Sequence, residues 1–142
     1  ITIKRFNEIE HNTINAIKNL KSKGYQIVAT TPHEDKHDLY DLDISKNKIA
    51  LFFGSEVNGC SKETLDLADK RIKIPMYGFT ESYNISVSVS LCLQHLTYKM
   101  RQSNIDWKLS KNQQDKVMLQ WLRNTIKSSE ELEKEFFRRE GN

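Results

Sequence analysis

Residues 80–84, TESYN, place Thr80, Glu81, Ser82, Tyr83 and Asn84 directly before an apolar run, with Pro75 and Gly78 just upstream. Polar side chains at the mouth of a helix have two uses. They cap it, with Ser82 accepting from backbone N–H groups, or they frame a site where backbone amides hold a ligand. A second stretch, GSEVNG at 54–59, has two glycines that let backbone approach a ligand closely. It matches neither GxGxxG nor the Walker loop, which needs GK[ST], so a nucleotide-phosphate cradle is not expected. Taken singly it reads as a turn, with Glu56 an exposed carboxylate or half of an ion pair across a dimer interface. His33, Asp35, His37 and Asp38 in TPHEDKHD are closely spaced potential metal ligands. In so polar a loop they read as solvated side chains, and no metal is expected.

The elements that must position these residues alternate. Ile1 to Phe6 has the apolar–polar alternation of a half-buried strand. Asn12 or Thr13 can cap a helix with Ile14, Ile17 and Leu20 on one face, and Gly24 stops it. Tyr25–Thr30 reads as a second strand and Lys48–Phe53 as a third, apolar enough to be buried on both faces, with a polar loop over 31–47. A short helix around Glu63–Ala68, a strand Arg71–Met76 and a helix from about Ile85 to Met100 follow. Ser86 to Ser90 alternates like a strand, but its continuation through Leu91, Leu93 and Leu96 fits a buried helix, on which His95 is a core or interface residue. This rhythm predicts an α/β fold with a parallel sheet. Ligands of such sheets sit at the carboxyl ends of the strands, which selects three loops: Thr30–Pro32, Gly54–Gly59 and the one before Ile85.

Composition sets the class. The 142 residues, 37% apolar and 29% charged, suit one globular domain with a modest core. No apolar run approaches the roughly 20 residues that span a bilayer, and no leader is evident, so a soluble protein without a membrane partner is expected. Cys60 and Cys92 lack CxxC spacing, which argues against a disulfide framework or zinc site and for a reducing cytoplasm. The net charge of +3 permits a phosphate-bearing partner without requiring one.

Two stretches together carry a resemblance. IALFFGSEVNGCSKETLDLADKRIKIPM followed by GFTESYNISVSVS is similar to the second and third motifs of the SpoU family of RNA 2'-O-ribose methyltransferases, in the knotted SPOUT superfamily. The similarity runs from Ile1 to about Met100, and KLSKNQQDKVMLQWLRNTIKSSEELEKEF resembles a carboxyl-terminal extension found in that family. The resemblance implies a methyltransferase domain over 1–103 and a helical extension over 104–142. It also implies a C-terminal trefoil knot, a rare exception to unthreaded connections.

What the resemblance implies for function is specific. S-adenosyl-L-methionine would be held bent in the knotted loops, with Thr30, Gly54, Ile74 and Tyr83 as contacts made largely through backbone, and Met76 and Gly78 lining the same turn. Glu56 matches the acidic residue of the second motif, and Ser82 and Asn84 match the polar pair of the third, near the target ribose. The chemistry is methyl transfer to a ribose 2'-hydroxyl, which needs alignment and help with the hydroxyl proton. The family attributes that help to an arginine of a first motif, expected before Ile1. The chain therefore reads as the later part of a larger protein, able to bind cofactor but slow in turnover by itself. A homodimer acting on tRNA, at a D-loop guanosine, is the implied assembly and substrate; ribosomal RNA is the alternative, and a non-catalytic RNA-binding knot a further one. RNA rather than DNA follows because only RNA has the 2'-hydroxyl.

In the tail, Ser110-x-x-Gln113 and Ser128-x-x-Glu131 are capping-box patterns opening two helices. Lys111, Lys116 and Arg123 on the first are candidate RNA-phosphate contacts, beside an apolar face of Val117, Leu119, Trp121 and Leu122. The same charges equally suit a helix that packs and shows them to water.

Overall fold

The computed structural model describes residues 3, 5–7, 10–33 and 37–140, which divide into two compact units, 1–105 and 106–142. In the first unit a helix α1 (Asn12–Ser22) leads into strand β1 (Tyr25–Thr30), then β2 (Lys48–Phe52), helix α2 (Lys62–Leu67), β3 (Lys70–Ile72) and the long helix α3 (Ile85–Gln102). The strands pair in the order β2-β1-β3, all parallel, with Tyr25 to Ala29 against Lys48 to Phe52 and Val28 to Thr30 against Lys70 to Ile72. This is the expected α/β arrangement of a parallel sheet with flanking helices.

The core follows from the central strand. Ile27, Val28 and Ala29 are all fully buried, so β1 is covered on both faces as parallel strands require. Val28 clusters with Ile72, Leu39, Leu42 and Cys92 of α3, flanked by Ile49, Leu51, Phe53, Ile74 and Leu96. Helix α1 packs on β1 and on α2, with Ile17 buried. Desolvation pushes the Cys92 thiol up to about 11, so it behaves as a small apolar side chain. Cys60 and Cys92 are both free thiols.

Several local expectations are corrected. Residues 1, 2 and 4 of the expected first strand lie outside the described residues, and Ile3, Arg5 and Phe6 are not in a strand. Helix α1 is capped at His11, with left-handed backbone and no side-chain cap bond, rather than at Asn12 or Thr13; Gly24 does end it, at φ 77°. Strand β2 is an edge among the described strands and is half-buried rather than covered on both faces. β3 stops at Ile72, short of the expected Met76, although Lys73 still bridges Asp38. The supposed polar loop 31–47 holds a 3-10 turn, Leu39–Asp41, whose N–H groups at Tyr40 and Asp41 are accepted by the Asp38 side chain, and its Leu39 and Leu42 are core residues. Helix α3 is less buried than expected: Cys92 is its one buried residue, while Val87, Leu91, Leu93 and Tyr98 are exposed. His95 stacks edge-on against Tyr40 at 4.9 Å between ring centroids. Lys99 Nζ donates to the carbonyls of Tyr40 at 3.0 Å and Leu42 at 2.8 Å, tying α3 to the turn.

Asp69 fastens α1 to the sheet, accepting from Lys21 Nζ at 2.7 Å and from the Ile27 amide at 2.7 Å. Desolvation raises this carboxyl, but the two donors and the Lys21 charge outweigh it and hold it below its ordinary value of 3.8. A depressed carboxylate contributes stability above the unfolded-state value and loses it as the pH falls through the folded-state value. The melting temperature of the chain is therefore expected to fall more steeply below about pH 4 than that of Asp69→Asn, whose curve lacks this group; parallel curves would refute the linkage.

In the second unit, helices α4 (Lys111–Thr125) and α5 (Ser129–Glu140) pack on each other. The capping box at Ser110 and Gln113 forms in both directions. The one expected at Ser128 does not, because Ser128 has left-handed backbone at φ 60°, whereas an N-cap needs extended backbone. Among the described residues no helix is long and apolar enough to cross a membrane.

Candidate functional site

The carboxyl ends of the three strands open into a cleft of about 290 Å³, walled by the loops after β1, β2 and β3. Thr30, Gly54, Glu56, Ile74, Met76, Ser82 and Tyr83 all line it. Residues from three loops, up to 53 positions apart in sequence, thus share one space because parallel strands deliver their loops to the same edge.

The loop after β2 is a closed turn. Ser55 and Gly59 exchange two backbone hydrogen bonds, at 3.0 and 2.9 Å, and Ser55 Oγ accepts from the Asn58 amide at 3.1 Å. Gly54 sits against the returning strand of that turn: a Cβ there would lie 1.8 Å from the Gly59 carbonyl carbon and 2.0 Å from the Cys60 nitrogen. The Thr30 hydroxyl donates to the Phe52 carbonyl at 3.2 Å, and Cys60 Sγ reaches the Thr30 carbonyl at 3.4 Å, pinning the first two loops together. Burial pushes the Cys60 thiol up, opposed by its bond to Thr30.

The third loop is anchored at its end. Asn84, rather than Ser82, caps α3, its Oδ1 accepting from the Ser86 amide at 2.9 Å. Its Nδ2 donates to Glu56 Oε1 at 2.5 Å. Asn84 is exposed and is not among the residues that line the cleft. Gly78 is also outside the cleft, in the exposed stretch between Tyr77 and Phe79. Ser82 is exposed and lines the cleft with no capping duty.

Charge defines what the cleft suits. Its lining includes the carboxylates of Glu56 and Glu81, and no lysine or arginine among the described residues. That disfavours phosphate and favours a ligand with a positive centre and neutral hydrogen-bonding groups. Sequence reasoning missed Cys60, His33 and Ser88 as lining residues. Only the position of Cys60, immediately after the glycine turn, offered a signal.

Of the TPHEDKHD residues, Asp35 lies outside those described, and Asp38 is spent on the 3-10 turn. Among the described residues no three His, Cys, Asp or Glu side chains are grouped to hold a metal ion. In the tail unit, Lys111 pairs with Asp115 at 2.8 Å and Arg123 grips Glu133 through two bonds of 2.6 and 2.8 Å; Lys116 is exposed.

Comparison with known proteins agrees with this geometry. A profile of the SpoU rRNA Methylase family matches residues 3–94, and the chain belongs to that family. It is 44% identical over 118 residues to the tRNA (guanosine(18)-2'-O)-methyltransferase of Borreliella burgdorferi, covering 83% of this chain and 54% of the relative. The crystal structure of the TrmH/SpoU tRNA modifying enzyme of A. aeolicus superposes with a TM-score of 0.63 at 31% identity, over 80% of this chain and 59% of that one. The SpoU methyltransferase AviRb from Streptomyces viridochromogenes, solved in complex with the cofactor AdoMet, shares the fold with a TM-score of 0.55 at 23% identity, over 65% of this chain and 35% of that one. The chain spans about half the length of the curated relatives it matches.

Proposed function

We propose that residues 1–103 hold the methyl-donor site of an S-adenosyl-L-methionine-dependent RNA 2'-O-methyltransferase that modifies a D-loop guanosine of tRNA, with 104–142 as a helical extension. The observation that carries this reading is the cleft itself. The loops bearing Glu56 and Ser82 converge on one cavity that has carboxylates and, among the described residues, no lysine or arginine, in a chain of this family. The relatives named above as tRNA methyltransferases favour tRNA; ribosomal RNA, the substrate in the family's own description, is the second reading.

The residues fit the donor. S-adenosyl-L-methionine supplies a methyl group on a positively charged sulfur, which the Glu56 and Glu81 carboxylates favour over a neutral ligand. Thr30, Gly54, Ile74 and Tyr83 would contact it, mostly through backbone groups on closed turns, with Met76 as apolar wall. Gly78, on the exposed stretch, would reach the donor only by folding of that loop. Ser82, free of capping duty, would meet the ribose hydroxyl, while Glu56 and Asn84 shape the wall beside it. The third loop and α3 would form the trefoil knot. The exposed apolar residues of α3, Val87, Leu91 and Leu93, support a homodimer; the free thiols Cys60 and Cys92 suit a reducing cytoplasm. RNA phosphates would meet Lys111, Lys116 and Arg123, exchanging the ion pairs that Lys111 and Arg123 already hold for others.

Calorimetric titration of this chain with S-adenosylhomocysteine tests the donor site. Saturable one-site binding is expected, and none by a demonstrably folded chain would overturn the reading. A tRNA transcript carrying 2'-deoxyguanosine at the D-loop position should accept no methyl groups, whereas a ribosomal fragment methylated in its place would establish the second reading.

A further inference from the structure

We propose that Glu56 is a positioning residue: through its bond to Asn84 it latches the 54–59 turn to the first turn of α3, and so sets the width of the cleft mouth. The inference rests on the donor-site reading above and refines it.

Both polar ends of Asn84 are used by the protein. Oδ1 accepts from the Ser86 amide at 2.9 Å, which leaves Nδ2 facing Glu56 Oε1 at 2.5 Å. Turning the amide over would set its nitrogen against the Ser86 N–H and its oxygen against the carboxylate, losing both bonds. Its orientation is therefore fixed by partners on both sides. The two ends of the link are themselves stiff. On one side the Ser55–Gly59 pair closes the turn with two bonds; on the other the Asn84 carbonyl accepts from Ser88 at 2.9 Å within the helix. A single side-chain bond between two such ends determines their separation. With Asn84 committed to the latch, Ser82 is the member of the Ser82/Asn84 pair left to face the cleft, beside Glu81 and Tyr83.

The latch needs an acceptor at position 56, and the amide oxygen of glutamine supplies one. A carboxylate acting as proton acceptor has no such substitute. Glu56→Ala, Glu56→Gln, Asn84→Ser and the Glu56→Ala/Asn84→Ser pair separate these roles; serine retains a capping oxygen for α3 while deleting Nδ2. By titration with S-adenosylhomocysteine, Glu56→Ala and Asn84→Ser should each weaken binding about fivefold, and the double variant no more than either single one, because one bond is removed in all three. Glu56→Gln should stay within about twofold of the parent. Losses that multiply in the double variant, or Glu56→Gln as weak as Glu56→Ala, would overturn the latch. Should the parent bind no S-adenosylhomocysteine, the donor-site reading fails by itself. Amide exchange then decides the latch: faster exchange at 55–59 and 86–88 in both Glu56→Ala and Asn84→Ser supports it, and unchanged exchange refutes it.

Discussion

Gly54→Ala is expected to weaken S-adenosylhomocysteine binding by about a hundredfold in calorimetry, with the far-UV spectrum unchanged. The added methyl would lie 1.8 Å from a backbone carbon and 2.0 Å from a backbone nitrogen of residues 59 and 60. Backbone has no rotamer to change, so relief comes only by opening the turn, and that turn is one wall of the cleft. Gly24→Ala is the control. Its Cβ would meet nothing within 4 Å, although the position has φ 77°, so it should cost about 1 kcal/mol of stability and leave affinity alone. Parental affinity in Gly54→Ala would mean that the 54–59 turn is not part of the donor site.

Leu39→Ala is expected to destabilise the chain by about 3 kcal/mol in urea unfolding. Leu39 is 2% exposed and sits in the small cluster that joins β1, β3 and α3, so its removal leaves a void with little freedom to collapse. For a domain whose total stability is of order 5–15 kcal/mol, that is a large fraction. Val57→Ala, at a side chain 91% exposed on the cleft turn, should change stability by less than about 0.5 kcal/mol. Equal costs at the two sites would contradict the described core.

The difference between those two positions shows what could be read in advance. Tyr25–Thr30 was legible as a strand because a β-branched run after a glycine stop has few other options. Leu39 and Leu42 were not, because they are two apolar residues flanked by Asp38, Asp41 and Asp43. Only the capping bonds of Asp38, which depend on a chain reversal, turn them inward. The opposite error occurred in β2 and α3. Their apolar content predicted full burial, but a strand's second face and a helix's far side are covered only by what packs there, which no local pattern reports. At the site, the three loops were found from strand order and turn residues. Yet Ser82 and Asn84 could not be told apart as cap and lining residue, since both side chains can accept from a helix N-terminus and only the exit angle of the loop decides. Gly78 was grouped with the cleft by its place in the motif, while the chain at Tyr77–Phe79 turns outward.

Lys99 has a consequence for how the chain reaches this structure. Its two bonds join α3 to carbonyls 59 and 57 residues earlier in sequence, and the pairings among the described strands are parallel. Much of the tertiary packing therefore forms only after long segments have closed, and parallel pairing of this kind folds slowly for its size. Until α3 docks, the cluster around Val28 and Ile72 lacks Cys92 and Leu96. Helix α3 follows all three described strands in sequence, so the sheet face opposite α1 is covered after the strands have been made.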